Sequence, residues 1–220
     1  MKTQKFGYAP FLVLTFIYFI VGFMTTINGQ FQGPLKVAFL ADAGSLRNTF
    51  TTLVSFFFFL GYLLNSPLAG KWVDRLGFKI TVLRALWIMT AGILMYALSS
   101  WMSIHHSNLA LFISINTIPY GFFVFLFGSF LMGTSAAILQ VVINPYISAY
   151  PLKGTQPVQR VNISFSFNSF ATTIAPFFVT VVVFSGMPIE NVSAGQVLIP
   201  TLAIATSVII IALITSRLPL

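Results

Sequence analysis

Six apolar runs, each long enough to cross a bilayer, restrict this chain to one kind of solvent. They lie at about residues 9–33, 50–70, 80–99, 119–146, 162–184 and 197–216. A hydrocarbon core about 30 Å thick is spanned by about 20 apolar residues of helix. Inside it each backbone N–H and C=O must be satisfied without water, so the predicted state of every run is α-helix. The predicted fold is an all-α polytopic membrane protein with six transmembrane helices in a single bundle, residues 1–220. Only 6% of the residues are charged and the mean hydropathy is +0.95. A water-soluble domain carries about 25% charge, so a soluble globule is excluded. The absence of cysteine excludes disulfides, thiolate metal sites and a cysteine nucleophile.

The joints between runs carry the charge. Lys2 and Lys5 precede an apolar stretch as they would in a signal peptide, but no small-residue cleavage site follows and further spans do, so an uncleaved first span is expected. Lys2, Lys5, Lys71, Arg75, Lys79, Arg84, Lys153, Arg160 and Arg217 fall on one side of a six-span chain, and only Lys36 and Arg47 on the other. That imbalance predicts both termini in the cytoplasm. It also assigns the net charge of +8 to topology rather than to a nucleic-acid partner. The first span is expected to end near Gly33-Pro34, with Thr25, Asn28 and Gln32 on one polar face. The second is interrupted by Asn65-Ser66-Pro67. Residues 109–118 are apolar but too short to span and read as an interfacial or re-entrant piece. His105 and His106, being adjacent, point to different helix faces and make a poor metal pair. In the fourth span Gly121, Gly128 and Gly133 permit close helix approach.

One stretch, Leu139 to Thr173, differs from the rest. It sets Gln140, Asn144, Asn162 and Asn168 in or beside apolar segments, and breaks them with Pro145 and a basic loop carrying Lys153 and Arg160. An unpaired carboxamide in hydrocarbon costs roughly 2–7 kcal/mol, so these groups either line an aqueous cavity or bond across helices. Interhelical bonds of this kind contribute only about 0.6 kcal/mol each. Polar groups at membrane depth mark function by default.

Between the second and third spans the chain reads Gly70-Lys71-Trp72-Val73-Asp74-Arg75-Leu76-Gly77-Phe78-Lys79. Taken as chemistry, this is a charged turn in which Gly70 allows close packing, Gly77 a tight turn, and Asp74 a helix cap or salt bridge. As a pattern it resembles the signature loop of the major facilitator superfamily, G-x-x-x-D-R-x-G-R-[KR], with Phe78 where an Arg is usual. Asn144-Pro145-Tyr146, Arg160-Val161-Asn162 and Phe167-Asn168-Ser169 are similar to the N-P-[FY] … R-L-N-L-x-Q-x-F-N-S pattern of the fucose permease family. Asn28 with Pro34 six residues on, and the closing Arg217-Leu218-Pro219-Leu220, are similar too.

The resemblance covers nearly the whole chain and stops where the family's first six-helix half ends. It implies a sugar–cation symporter of the cytoplasmic membrane, with two inverted three-helix repeats in each half and substrate bound near the midplane. It also implies a second six-helix half, either a missing C-terminal half or a second copy of this chain. The signature loop, here Gly70, Asp74, Arg75, Gly77 and Lys79, would gate the cytoplasmic side. Asn168 keeps the family's sugar-contacting Asn, and the Gln three residues earlier is Phe165. The family's two key acids fall at Gly29 and Gln140, which carry no charge. The expected substrate-binding set is Asn28, Gln32, Gln140, Asn144, Phe165 and Asn168, with no cofactor and no metal. The alternative is a non-transporting membrane scaffold, accessory subunit or truncated product. An intramembrane enzyme lacks support, because no paired carboxylates, H-E-x-x-H motif or nucleophile with an adjacent base is present.

Overall fold

A computed structural model describes residues 8–106, 108–113, 116–188 and 191–218. Lys2, Lys5, Glu190 and the closing Pro219-Leu220 lie outside them. The described residues hold six helical spans long and apolar enough to cross a membrane: Tyr8–Ala38, Gly44–Leu76, Phe78–His105, Tyr120–Ala149, Pro157–Val183 and Ala194–Arg217. Each is longer at one or both ends than the apolar run that announced it. The apolar run measures the hydrocarbon, whereas a helix continues through the headgroup region because its backbone bonds are still worth making there.

The first span is α1 (Tyr8–Gln30) running into α2 (Gln32–Ala38). It does not stop at Gly33-Pro34. Phe31 keeps a helical φ of −70°, and the bonds Phe31 N–H to Ile27 and Leu35 N–H to Phe31 carry the helix over the joint. Pro34 falls in the first turn of α2, where its missing N–H is not needed. The second span, α3 (Arg47–Leu76), runs unbroken through Pro67. Just before it, Asn65 Nδ2 donates to the Gly61 carbonyl and Ser66 Oγ to that of Tyr62, so side chains meet carbonyls of the preceding turn. Pro145 likewise sits inside α5 (Tyr120–Ala149), between α4 (Phe78–His105) and α6 (Pro157–Phe177). After Pro176, α6 loosens into a π-helical turn, Phe178–Val183, and the sixth span ends in α7 (Leu198–Arg217).

Within the stretch 109–118, read as an interfacial or re-entrant piece, the described residues are extended rather than helical. They make a short antiparallel hairpin, β1 (Ala110–Ile113) with β2 (Asn116–Pro119), which packs over the first loop through Thr117 N–H to the Asp42 carbonyl. The segment is too short to satisfy its backbone as a buried helix, and strand pairing does so locally.

The fourth span is the core, with 72% of its most apolar window buried, against 22% for the second and fifth. Its strongest partners are α3 and α4, while α1 packs mainly on α6. Exchanging spans one to three with four to six carries the first–fifth pair onto the fourth–second pair, as inverted repeats require. The fourth-span glycines make these approaches possible. A Cβ on Gly133 would lie 1.8 Å from the Phe58 carbonyl oxygen, and one on Gly61 2.2 Å from that of Phe130. Gly92 and Gly128 bring α4 onto α5 less tightly, each added Cβ lying 3.1 or 2.9 Å from the other glycine's carbonyl oxygen. Gly70 is different: a Cβ there meets nothing within 4 Å, so it is not a packing glycine.

Candidate functional site

Tyr18, at mid-height of α1, is the centre on which polar groups from three other spans converge. Gln140 and Asn144 are one helical turn apart and share a face of α5. The Tyr18 hydroxyl interacts with the Asn144 side chain, and Tyr62 of α3 is its neighbour. Tyr62 donates its hydroxyl to Gln140 Oε1 at 2.6 Å. From the other side α6 supplies Phe165, whose ring packs on that of Tyr18 at 5.5 Å and 56°, and Asn168, whose Nδ2 donates to the Tyr18 carbonyl at 2.9 Å. The absence of a side chain at Gly22 is what admits Asn168, since a Cβ there would lie 2.6 Å from Asn168 Nδ2.

Each carboxamide in this group has spent only part of its bonding capacity. No bond among the described residues uses Gln140 Nε2 or Asn168 Oδ1, and no buried side-chain nitrogen or oxygen among them lacks a partner. Those two atoms are therefore unspent and not fully buried. Gln140, Asn144, Asn168 and Tyr62 are half-buried, and Phe165 is 44% exposed. The arrangement can bond a polyhydroxylated ligand through a donor and an acceptor beside an aromatic face.

Four of the six expected contacts thus come together: Gln140, Asn144, Phe165 and Asn168. Asn28 and Gln32 do not join them. Asn28 lies ten residues beyond Tyr18, about 15 Å along the helix, and is buried. It accepts from the Tyr96 hydroxyl at 2.5 Å, and Tyr96 also meets Ser129 Oγ at 3.2 Å. Tyr96 stacks on Phe125 at 4.1 Å, so Asn28 belongs to the packing of spans one, three and four. Gln32 donates to Ser55 Oγ on the second span, and Thr25 returns its hydroxyl to the Val21 carbonyl of its own helix. Asn162 is exposed at the start of α6, one end of a polar stripe through Ser166, Ser169 and Thr173. The two tyrosines at the centre are absent from the expected set. Their signal is a hydroxyl inside an apolar run, a group that needs a partner when buried.

In the turn between α3 and α4, Gly77 has φ +78°, which favours glycine, and its N–H closes α3 on the Val73 carbonyl. Asp74 does not cap α4, which has no side-chain cap, and forms no salt bridge among the described residues; Gly70, Asp74 and Arg75 are all exposed. Lys79 Nζ donates to the Leu218 carbonyl, joining the third span to the end of the sixth. Phe78, at the position of the usual Arg, stacks flat on Tyr146 at 3.7 Å and 14°. The signature turn and the Asn-Pro-Tyr motif are therefore in direct contact. Arg160 is buried, 4% exposed. It donates Nε to the Ile147 carbonyl, Nη2 to that of Ser148 and Nη1 to Thr155, capping the C-terminal end of α5 with a cation. His105 and His106 are exposed against Trp101, and no metal-capable cluster occurs among the described residues.

Among curated proteins, the chain is 29% identical over 213 residues to the glucose/galactose transporter of Brucella abortus, covering 96% of this chain and 46% of that protein. It is 26% identical over 215 residues to the putative glucose/galactose transporter of Helicobacter pylori, 94% of this chain and 47% of the other. It is 22% identical over 182 residues to the L-fucose-proton symporter of Escherichia coli, 83% of this chain and 36% of the other. These relatives are sugar transporters. They bear out the resemblance to the fucose permease family that the motifs carry, and none is named as an enzyme. The chain spans about half the length of the relatives it matches. No family model matches it, and no solved structure does.

Proposed function

We propose that this chain forms one six-helix half of a transporter that moves a hexose-like sugar across the cytoplasmic membrane by alternating access. The observation that carries the reading is the convergence on Tyr18, where carboxamides from two spans keep a donor and an acceptor unspent beside the Phe165 ring. Gln140, Asn144, Phe165 and Asn168 contact the sugar; Tyr18 and Tyr62 hold them in place. Asn28 and Gln32, bonded to Tyr96 and Ser55, act on the site by fixing the helices. The relatives' names, glucose/galactose transporter and L-fucose-proton symporter, agree with a monosaccharide of this kind.

A second six-helix half completes the cavity. The exposed stripe Asn162, Ser166, Ser169 and Thr173 is wrong for lipid and right for water or a partner helix. The exposed Asp74 and Arg75 are free to engage a helix of that half, which makes the turn a gate on the cytoplasmic face. Of the described basic residues, Lys71, Arg75, Lys79, Arg84, Lys153, Arg160 and Arg217 lie at one end of the bundle and Lys36 and Arg47 at the other, so both termini face the cytoplasm. The test is equilibrium sugar binding to the full-length protein. Gln140→Ala and Asn168→Ala each weaken binding about tenfold, the loss of one hydrogen bond to a site built for it, and Gln32→Ala much less. Unchanged binding in both of the first two variants overturns the assignment.

A further inference from the structure

Two seams of the bundle are equivalent under the inverted repeat, yet only one is closed. The third and fourth spans are drawn together at Gly92 and Gly128. The first and sixth spans have no such pair and barely touch. Between them two adjacent cavities, sharing Phe16 and Ile211 and also lined by Phe167 and Phe178 of the fifth span, run in line as a groove. Leu12, Phe16 and Phe23 form one wall; Ile204, Ile211 and Ile214 form the other. The few polar atoms present are already used. Thr15 Oγ1 bonds Ser164 Oγ at 3.1 Å, and Ser207 Oγ donates to the Ala203 carbonyl of its own helix. Water needs two to four polar partners to be held, and the groove offers only these two hydroxyls, each already bonded within the protein.

We infer that this groove binds one acyl chain of an anionic phospholipid from the leaflet in which Tyr8 and Arg217 lie. The dimensions fit: from Leu12 to Phe23 is eleven residues, about 16 Å of helix, against about 15 Å for half the hydrocarbon core. The mouth fits as well. Tyr8 stands one turn before Leu12 on the same face of α1, and Arg217 one turn beyond Ile214 on α7, both exposed. Tyrosine and arginine at that depth reach the headgroup level. The acids among the described residues are Asp42 and Asp74, and neither forms a salt bridge with Arg217. A phosphate of net negative charge is its natural partner.

The experiment is native mass spectrometry of the chain in detergent with equimolar phosphatidylglycerol and phosphatidylcholine. Wild type retains one lipid and prefers phosphatidylglycerol about fivefold, the attraction expected of one basic residue at a membrane surface. Leu12→Trp, at an exposed position that tolerates bulk, plugs the mouth and abolishes retention. Arg217→Gln keeps the lipid and loses the preference. Arg84→Gln, which removes a basic residue lying over Trp72 at the same end of the bundle, changes neither. Retention that survives Leu12→Trp, equal retention of both lipids by wild type, or a preference that follows Arg84 instead of Arg217 each overturns the proposal.

Discussion

At the scale of single residues, the proposed function rests on half-satisfied carboxamides. Gln140 gives its oxygen to Tyr62 and keeps its nitrogen; Asn168 gives its nitrogen to the Tyr18 carbonyl and keeps its oxygen. Interhelical bonding and cavity lining are thus two ends of the same side chain rather than rival roles. Tyr62→Phe removes the donor to Gln140 and frees that amide to rotate. The expected cost is about 1 kcal/mol of stability, read as a lowered Tm in detergent, with a larger proportional loss of sugar affinity. Arg160 makes a second case. Its planar guanidinium reaches the carbonyls of Ile147, Ser148 and Thr155 at once. A lysine ammonium cannot reproduce that fork. Arg160→Lys therefore lowers Tm by the equivalent of about 1–2 kcal/mol, although net charge is unchanged.

At the scale of elements, the crossings of the second, fourth and third spans rest on glycine. A methyl group at Gly133 overlaps the Phe58 carbonyl oxygen, a rigid backbone atom that cannot step aside. Gly133→Ala must separate α3 from α5, and with overpacking costs of about 1–3 kcal/mol or more the variant loses thermal stability and folded yield. Gly70→Ala is the internal control. A Cβ there meets open space, and alanine is the better helix former by about 0.5–1 kcal/mol, so Tm holds or rises. A packed glycine and an open one respond with opposite sign. Phe78 carries a further lesson for motif reading. Where the family pattern has a cation, this chain has a ring stacked on Tyr146, so the turn is held to the Asn-Pro-Tyr segment by an aromatic pair. Phe78→Arg restores the family pattern but breaks this contact, with an expected loss of about 1 kcal/mol beyond buried area.

For the whole molecule, the missing charges matter as much as the groups present. Asp42 and Asp74 are both exposed at the ends of spans, and Gly29 and Gln140, where the resemblance implies acids, carry no charge. Proton coupling needs a titratable group at membrane depth, and none of the described acids is at that depth. The expected outcome is that this half contributes no proton site. With every acid of a second half neutralised, the full-length protein should no longer accumulate sugar in response to an imposed pH gradient, whereas adding Gln140→Glu should give uptake a new pH dependence. Accumulation persisting in the neutralised background would place a proton carrier within this chain. The 220 residues by themselves, verified as monomers in liposomes, should show no uptake, because rocking about a midplane site requires two halves. Reporter fusions after Ser103 and after Lys153 should localise to opposite sides of the membrane, with Ser103 outside.

Six spans and the family resemblance were legible in the sequence, because hydropathy over about 20 residues and the order of motif residues depend on the chain alone. Gln140 and Asn144 were legible as a pair for a similar reason, since four residues along one helix fix a shared face. Tertiary structure decided everything that required a second helix. It separated Asn28 and Gln32 from the site, because their partners, Tyr96 on α4 and Ser55 on α3, come from other helices and the spacing of polar residues on α1 says nothing about them. It made Tyr18 the centre, a residue that in one dimension is simply another aromatic in a chain rich in them. It carried the helices unbroken through Pro67 and Pro145, which sequence alone marks as interruptions. Periodicity reports which residues share a face; only packing determines what that face meets.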